Sequence, residues 1–181
     1  YFQSSLFTIA RRRILWLLIL VLANGLTTKV IAMNDQILKE IVLLAAFIPL
    51  LIGTGGNVGA QSSTVVIRGL STQKLKSLGA IKAVVKEAIT GALLGVFMML
   101  VVFPFAWWQG EGPLIASAVG ISLISITTLA ATTGAILPLL FDRMKLDPAL
   151  MSSPFITTVT DIAGVFIYLS TAKWLLSSSL A

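Results

Sequence analysis

Apolar residues in this chain run together instead of alternating with polar ones. Five stretches, Ile14 to Met33, Ile37 to Thr64, Ala83 to Trp107, Leu114 to Phe141 and Ser152 to Leu176, are each long enough to cross a bilayer, which takes about 20 helical residues at ~1.5 Å each. Helices are the expected form, because backbone groups in hydrocarbon must be satisfied within the segment. The connections are Asn34-Asp35-Gln36, a basic stretch from Arg68 to Lys82, Gln109-Gly110-Glu111-Gly112-Pro113, and Asp142 to Asp147. No linker or second domain is visible, so residues 6–181 are predicted to form one all-α, five-helix transmembrane unit. Tyr1-Phe2-Gln3-Ser4 resembles the end of a protease-cleavable tag. Residues 1–5 are therefore set aside as tag remnant and leader, and the chain is expected to be cut from a longer protein.

Composition sharpens this picture. Hydrophobic residues make up 57% of the chain, charged residues 11%, and the mean hydropathy is +0.99; soluble domains carry about 25% charged residues. A soluble globular fold is thereby nearly excluded. Cys and His are absent, which rules out disulfides, thiolate or imidazole metal ligands and His-based catalysis within one chain.

The net charge of +6 finds its explanation in topology. With the N-terminus cytoplasmic and the C-terminus outside, Arg11, Arg12, Arg13, Arg68, Lys74, Lys76, Lys82, Lys86, Arg143 and Lys145 fall inside. Only Lys29, Lys39 and Lys173 fall outside, the expected positive-inside bias. A nucleic-acid surface would want interleaved aromatics, and Arg68 to Lys86 contains none. Trp107, Trp108 and Trp174 fit an aromatic belt at the outer interface.

The informative residues are then the polar ones at membrane depth. Asp161 lies nine residues after Ser152, roughly 14 Å into its span, and no Lys or Arg shares its helix before Lys173. Such an acid must be protonated, hydrated or bound to a cation. Thr157, Asp161, Gly164 and Tyr168 recur at helical spacing and form one face; Gly164 and Thr158 taken alone suit helix packing. In the second span, Gly53-Thr54-Gly55-Gly56-Asn57-Val58-Gly59-Ala60-Gln61 follows Pro49, a run expected to weaken regular helix and expose carbonyls. Gly53, Asn57, Gln61, Thr64 and Arg68 make a polar lane along it, while Gly55 and Gly59 fit a small-xxx-small packing contact. Neither a dinucleotide fingerprint nor a P-loop fits this run.

The fourth-span hydroxyls, Ser117, Ser122, Ser125, Thr127, Thr128, Thr132 and Thr133, are expected to bond back to their own helix. Glu87 reads as structural, snorkelling or pairing with Arg68 or Lys86.

One carboxylate is a poor cage for a bare divalent cation, whereas a two-fold dimer with Asp161 near its axis would place two around one lumen. At ~5 Å and an effective dielectric near 20, each attracts a monovalent ion by ~3 kcal/mol and a divalent one by ~7. Magnesium keeps its waters, so carboxylate, hydroxyl, amide and backbone oxygens can read its hydration shell. Softer metals lack their ligands here.

The same residues carry a family resemblance. Pro49-Leu-Leu-Ile-Gly53-Thr-Gly-Gly-Asn57-Val-Gly59-Ala-Gln61-Ser-Ser-Thr-Val-Val-Ile-Arg68 resembles the second-span signature of the MgtE magnesium channels. Asp147-Pro-Ala-Leu150-Met-Ser-Ser-Pro154-Phe-Ile-Thr157-Thr158-Val-Thr-Asp161-Ile-Ala-Gly164 resembles their fifth-span signature. The resemblance implies a homodimer in the cell membrane with a pore at the interface, lined by the second and fifth spans. Asp161 would be the selectivity-filter acid, with Thr157 and Gly164 beside it and Gly53, Asn57 and Gln61 opposite. Thr64 continues that lane, and Asp147 and Leu150 would lie at the cytoplasmic mouth, where members bind further magnesium. Ser153 stands where some members carry Asn. The cytosolic magnesium-sensing domains usual in the family are absent from this chain.

The function expected is passage of hydrated Mg2+ through a channel. The alternative is a secondary-active transporter or exchanger coupled to H+ or Na+. An intramembrane protease lacks its His, or its second acid unless a dimer supplies one, and a purely structural subunit leaves Asp161 without a reason.

Overall fold

A computed structural model describes residues 6–72 and 79–180, all of them helical or in tight connections; residues 1–5, 73–78 and 181 lie outside the described residues. The helices are α1 (Leu6–Ala32), the short α2 (Asp35–Glu40), α3 (Val42–Ser71), α4 (Ala80–Ala106), α5 (Gly112–Arg143) and α6 (Pro148–Leu180). Among the described residues four segments are long and apolar enough to cross a membrane: Val42–Ser71, Ala80–Gln109, Gly112–Arg143 and Ser152–Leu176. These correspond to the second to fifth predicted spans. The first lies within α1, whose described apolar portion, Leu20–Ala32, is shorter.

Two boundaries differ from the expectation. The second span does not begin at Ile37: the chain breaks at Ile41 (φ −131°, ψ 84°), leaving Asp35 and Lys39 to pair across one turn of α2. A six-residue stretch holding Asp35, Lys39 and Glu40 is better kept out of hydrocarbon than continued into it. Between α4 and α5, the predicted loop is instead a π-helical stretch, Trp107–Glu111, closed by Gly112 at φ +76°, a backbone state that glycine adopts without steric cost.

The glycine run of α3 also departs from expectation, since the helix is regular from Val42 through Ser71. Packing supplies what propensity lacks. α5 is the central helix, flanked by α3, α4 and α6, while α1 packs mainly on α6. Glycines make the close seams. A Cβ at Gly91 would lie 2.6 Å from both Thr127 O and Ala131 Cβ of α5, and one at Gly95 would lie 2.5 Å from Ile124 Cα. A Cβ at Gly134 would strike the carbonyl oxygen of Gly59. Where hydrocarbon surrounds the bundle, close van der Waals packing of this kind drives helix association.

The connection leading into α6 is fixed by backbone bonds. Leu146 N–H donates to Phe141 O at 2.9 Å and Lys145 N–H to Asp142 O at 3.0 Å, with Lys145 at φ 59°. This is a Schellman cap with lysine in the left-handed position glycine usually takes. Asp147 then caps α6, its Oδ1 accepting the Ala149 N–H at 2.9 Å with Pro148 as the first helical residue.

Candidate functional site

Two glycines set the register of α3 on α6. A Cβ at Gly55 would come 2.5 Å from Thr160 Cγ2, and one at Gly59 2.5 Å from Ile156 Cγ2. As α3 ascends by four residues, α6 descends by four, so the helices run antiparallel. On that register Gly53 shares the depth of Asp161, Asn57 that of Thr157 and Thr158, Gln61 that of Ser153 and Pro154, and Arg68 that of Asp147. The glycines expected to pack do so, and those expected to line the lane do not: nothing lies within 4 Å of a Cβ at Gly53.

Within one chain the lane is an outer surface. Gly53, Asn57, Gln61, Thr64 and Arg68 are all exposed, as are Ser153 and Thr157 on α6. At the basic end the two helices share a cleft of about 450 Å3 bordered by Thr64, Arg68, Ala149 and Ser153. Asp147, also exposed, lines a neighbouring cavity of about 720 Å3 with Asp142 and Arg143; Ile67, Ser71 and Ala149 border both. Sequence reasoning passed over Asp142, although its place in the Asp142 to Asp147 connection could have suggested it.

Asp161 is half-buried, and among the described residues it has no hydrogen bond or ion pair. The hydroxyls along the lane are arranged to accept. Thr157 Oγ1 donates to Pro154 O at 3.0 Å and Thr64 Oγ1 to Ala60 O at 2.9 Å, which leaves their lone pairs outward for a cation or its waters. Pro154 has no N–H, so the Leu150 carbonyl loses its helical donor; the Leu150 side chain lies outside the described residues.

The predicted face of α6 does not stay open along its length. Thr157 is exposed, Asp161 half-buried, and Gly164 and Tyr168 are buried; a Cβ at Gly164 would meet Ile126 of α5 at 3.7 Å. The stripe passes from surface into contact with α5 along its length. Tyr168 thus belongs to the core with Leu123, Ile126 and Leu169. Among the described residues Tyr168 Oη and Ser122 Oγ are buried without hydrogen-bond partners, at matching depths on the α5 and α6 register set by Gly164 and Ile126.

The fourth-span hydroxyls mostly behave as expected. Ser117, Ser125, Thr127, Thr128 and Thr132 each donate to a carbonyl one turn back, at 2.6 to 3.1 Å. Glu87 is half-buried and pairs with neither Arg68 nor Lys86: among the described residues the ion pair is Lys39 with Asp35. Nor do three or more carboxylates gather anywhere among the described residues. A cation on this surface would be met by one carboxylate plus hydroxyl, amide and carbonyl oxygens, a hard-oxygen set suited to a hydrated ion.

Comparison with known proteins places these features in a lineage. Residues 48–171 match the model of MgtE, described as a divalent cation transporter. The chain is 39% identical over 166 residues to the magnesium transporter MgtE of Thermus thermophilus, covering 92% of this chain and 37% of that protein. It is 33% identical over 172 residues to the magnesium transporter MgtE of Bacillus subtilis, covering 94% and 38%. With the magnesium transporter MgtE of Enterococcus faecalis the identity is 34% over 168 residues, covering 91% and 36%. The chain therefore spans little more than a third of the length of these relatives.

Proposed function

Since the chain belongs to the MgtE family, whose model is described as a divalent cation transporter, we propose that it is the pore-forming part of a magnesium channel. Two copies would join with their α3 and α6 surfaces facing one another, in a cell membrane crossed by five spans per chain with the N-terminus cytoplasmic and the C-terminus outside. Hydrated Mg2+ would pass along the shared lumen. Asp161 supplies the charge that favours a divalent ion, with Thr157 exposed beside it and Gly164 one turn further on, where α6 comes into contact with α5, and Gly53, Asn57, Gln61 and Thr64 line the opposing wall. Ser153, Leu150 and Asp147 lie towards the mouth. Homologues with transport names, rather than catalytic ones, support a transporter over an enzyme.

One observation carries the reading: a carboxylate without a partner among the described residues, beside a lane of amides and hydroxyls exposed at membrane depth. Hydrocarbon would reject that surface, and a second copy enclosing water would accept it.

The experiment is magnesium flux into liposomes holding the purified chain, run beside Asp161→Asn. Loss of flux in the variant supports the channel. Unchanged flux removes its basis, and obligatory movement of H+ or Na+ would favour the coupled transporter. Because the chain has no Cys, Asn57→Cys tests the dimer, with cross-linking of two copies by a bifunctional thiol reagent long enough to span the lumen as the expected result.

A further inference from the structure

A third groove, between the basic ends of α4 and α5, differs in character from the two beside it. It holds about 340 Å3 and is walled by apolar side chains including Ile81, Val85, Ile136 and Leu140, with Arg143 as the one ionisable residue on its border among the described residues. The walls are open to the surroundings: Ile81 is 80% exposed and Leu140 47%. In a protein whose helices sit in lipid, a trough of this kind is filled by hydrocarbon.

The charge at its end decides which lipid. Arg143 borders both this groove and the polar cavity that holds Asp142 and Asp147, yet among the described residues it forms no ion pair. Lys82 and Lys86 are exposed on the same end of α4. The acids nearby are Glu87, half-buried on α4, and Asp142 and Asp147, which line the other cavity. None of these acids is among the residues bordering the apolar groove, where Arg143 stands, and a guanidinium matches a phosphate through two parallel N–H donors.

We propose that this groove binds an anionic phospholipid, one acyl chain lying between α4 and α5 and the headgroup phosphate held by Arg143. Basic pockets between membrane helices favour such headgroups. The inference rests on the chain's being a membrane protein, not on the ion path of α3 and α6.

The absence of Cys permits a site-specific test. A fluorophore on Ile136→Cys, with the full chain in vesicles, is exposed in turn to chain-brominated phosphatidylglycerol and phosphatidylcholine at equal mole fraction. Quenching at this site should favour phosphatidylglycerol by about fivefold, the effect of roughly one basic side chain at a membrane surface. The same label on Leu93→Cys, exposed on α4 away from Arg143, should show no preference. Arg143→Gln should abolish the preference and Arg143→Lys retain part of it. Equal quenching by both lipids at Ile136, a preference that survives Arg143→Gln, or no quenching by either lipid because another protein surface covers the groove would each overturn the proposal. Should Arg143→Gln fail to fold, the contrast between Ile136 and Leu93 decides alone.

Discussion

The two sides of α3 use glycine for opposite ends. On the inner side Gly55 and Gly59 are pressed against Thr160 and Ile156 so closely that a methyl group has no room. On the outer side Gly53 and Gly56 have nothing within 4 Å, and they alternate with Asn57 and Gln61 on a surface that hydrocarbon would not tolerate. One side is explained by the chain's own packing. The other is not explained by anything inside the chain, and that imbalance is what points to a second copy and an aqueous passage.

Substitutions on the two sides should therefore separate flux from stability. The largest effect belongs to Asp161→Asn, which keeps the shape and removes the charge. Magnesium flux should fall by at least roughly a hundredfold, within the ~7 kcal/mol that one carboxylate can offer a divalent ion, while the melting transition stays in place. Gly59→Ala should do the reverse, costing about 1–3 kcal/mol of stability through overpacking against Ile156 and Ala130, read as a lowered melting temperature in detergent. Asn57→Leu should reduce flux by about three- to tenfold, the worth of one hydrogen bond to an ion's water shell, with the fold unmoved. Gly53→Ala is the mildest. Stability should change by less than about 1 kcal/mol, and a large loss there would mean that the outer side is packed after all.

Much of this division was legible in the sequence. The spacing of Gly55 and Gly59 marked a packing contact, and the spacing of Gly53, Asn57, Gln61 and Thr64 marked a lane, because helical periodicity fixes which residues share a side. Hydroxyls along α5 were legible for a similar reason, since a Thr or Ser in a membrane helix has its own carbonyls within reach. Which part of a side the neighbouring helices cover was not legible. The stripe from Thr157 to Tyr168 reads as uniform, yet its Gly164 to Tyr168 half is buried, with Ile126 of α5 against Gly164. The glycine run looked like a weak point and is regular helix, since tertiary contact overrides local propensity. Asp147 looked like a ligand and is at least a helix cap. Both roles ask for an exposed carboxylate at a chain turn.

The glycine seams carry a mechanical consequence. With Gly91, Gly95 and Gly134 set against neighbouring backbone and Gly55 and Gly59 against Thr160 and Ile156 of α6, α3, α4, α5 and α6 interlock too tightly to slide past one another, because a packed contact without free volume cannot shear gradually. Any widening of a passage beside α3 and α6 must then come from tilting this block as a single body. α1, packed mainly on α6 and continuous through α2 with α3, is placed like a handle on its flank, so that a pull delivered from the amino-terminal side would reach the block at both helices.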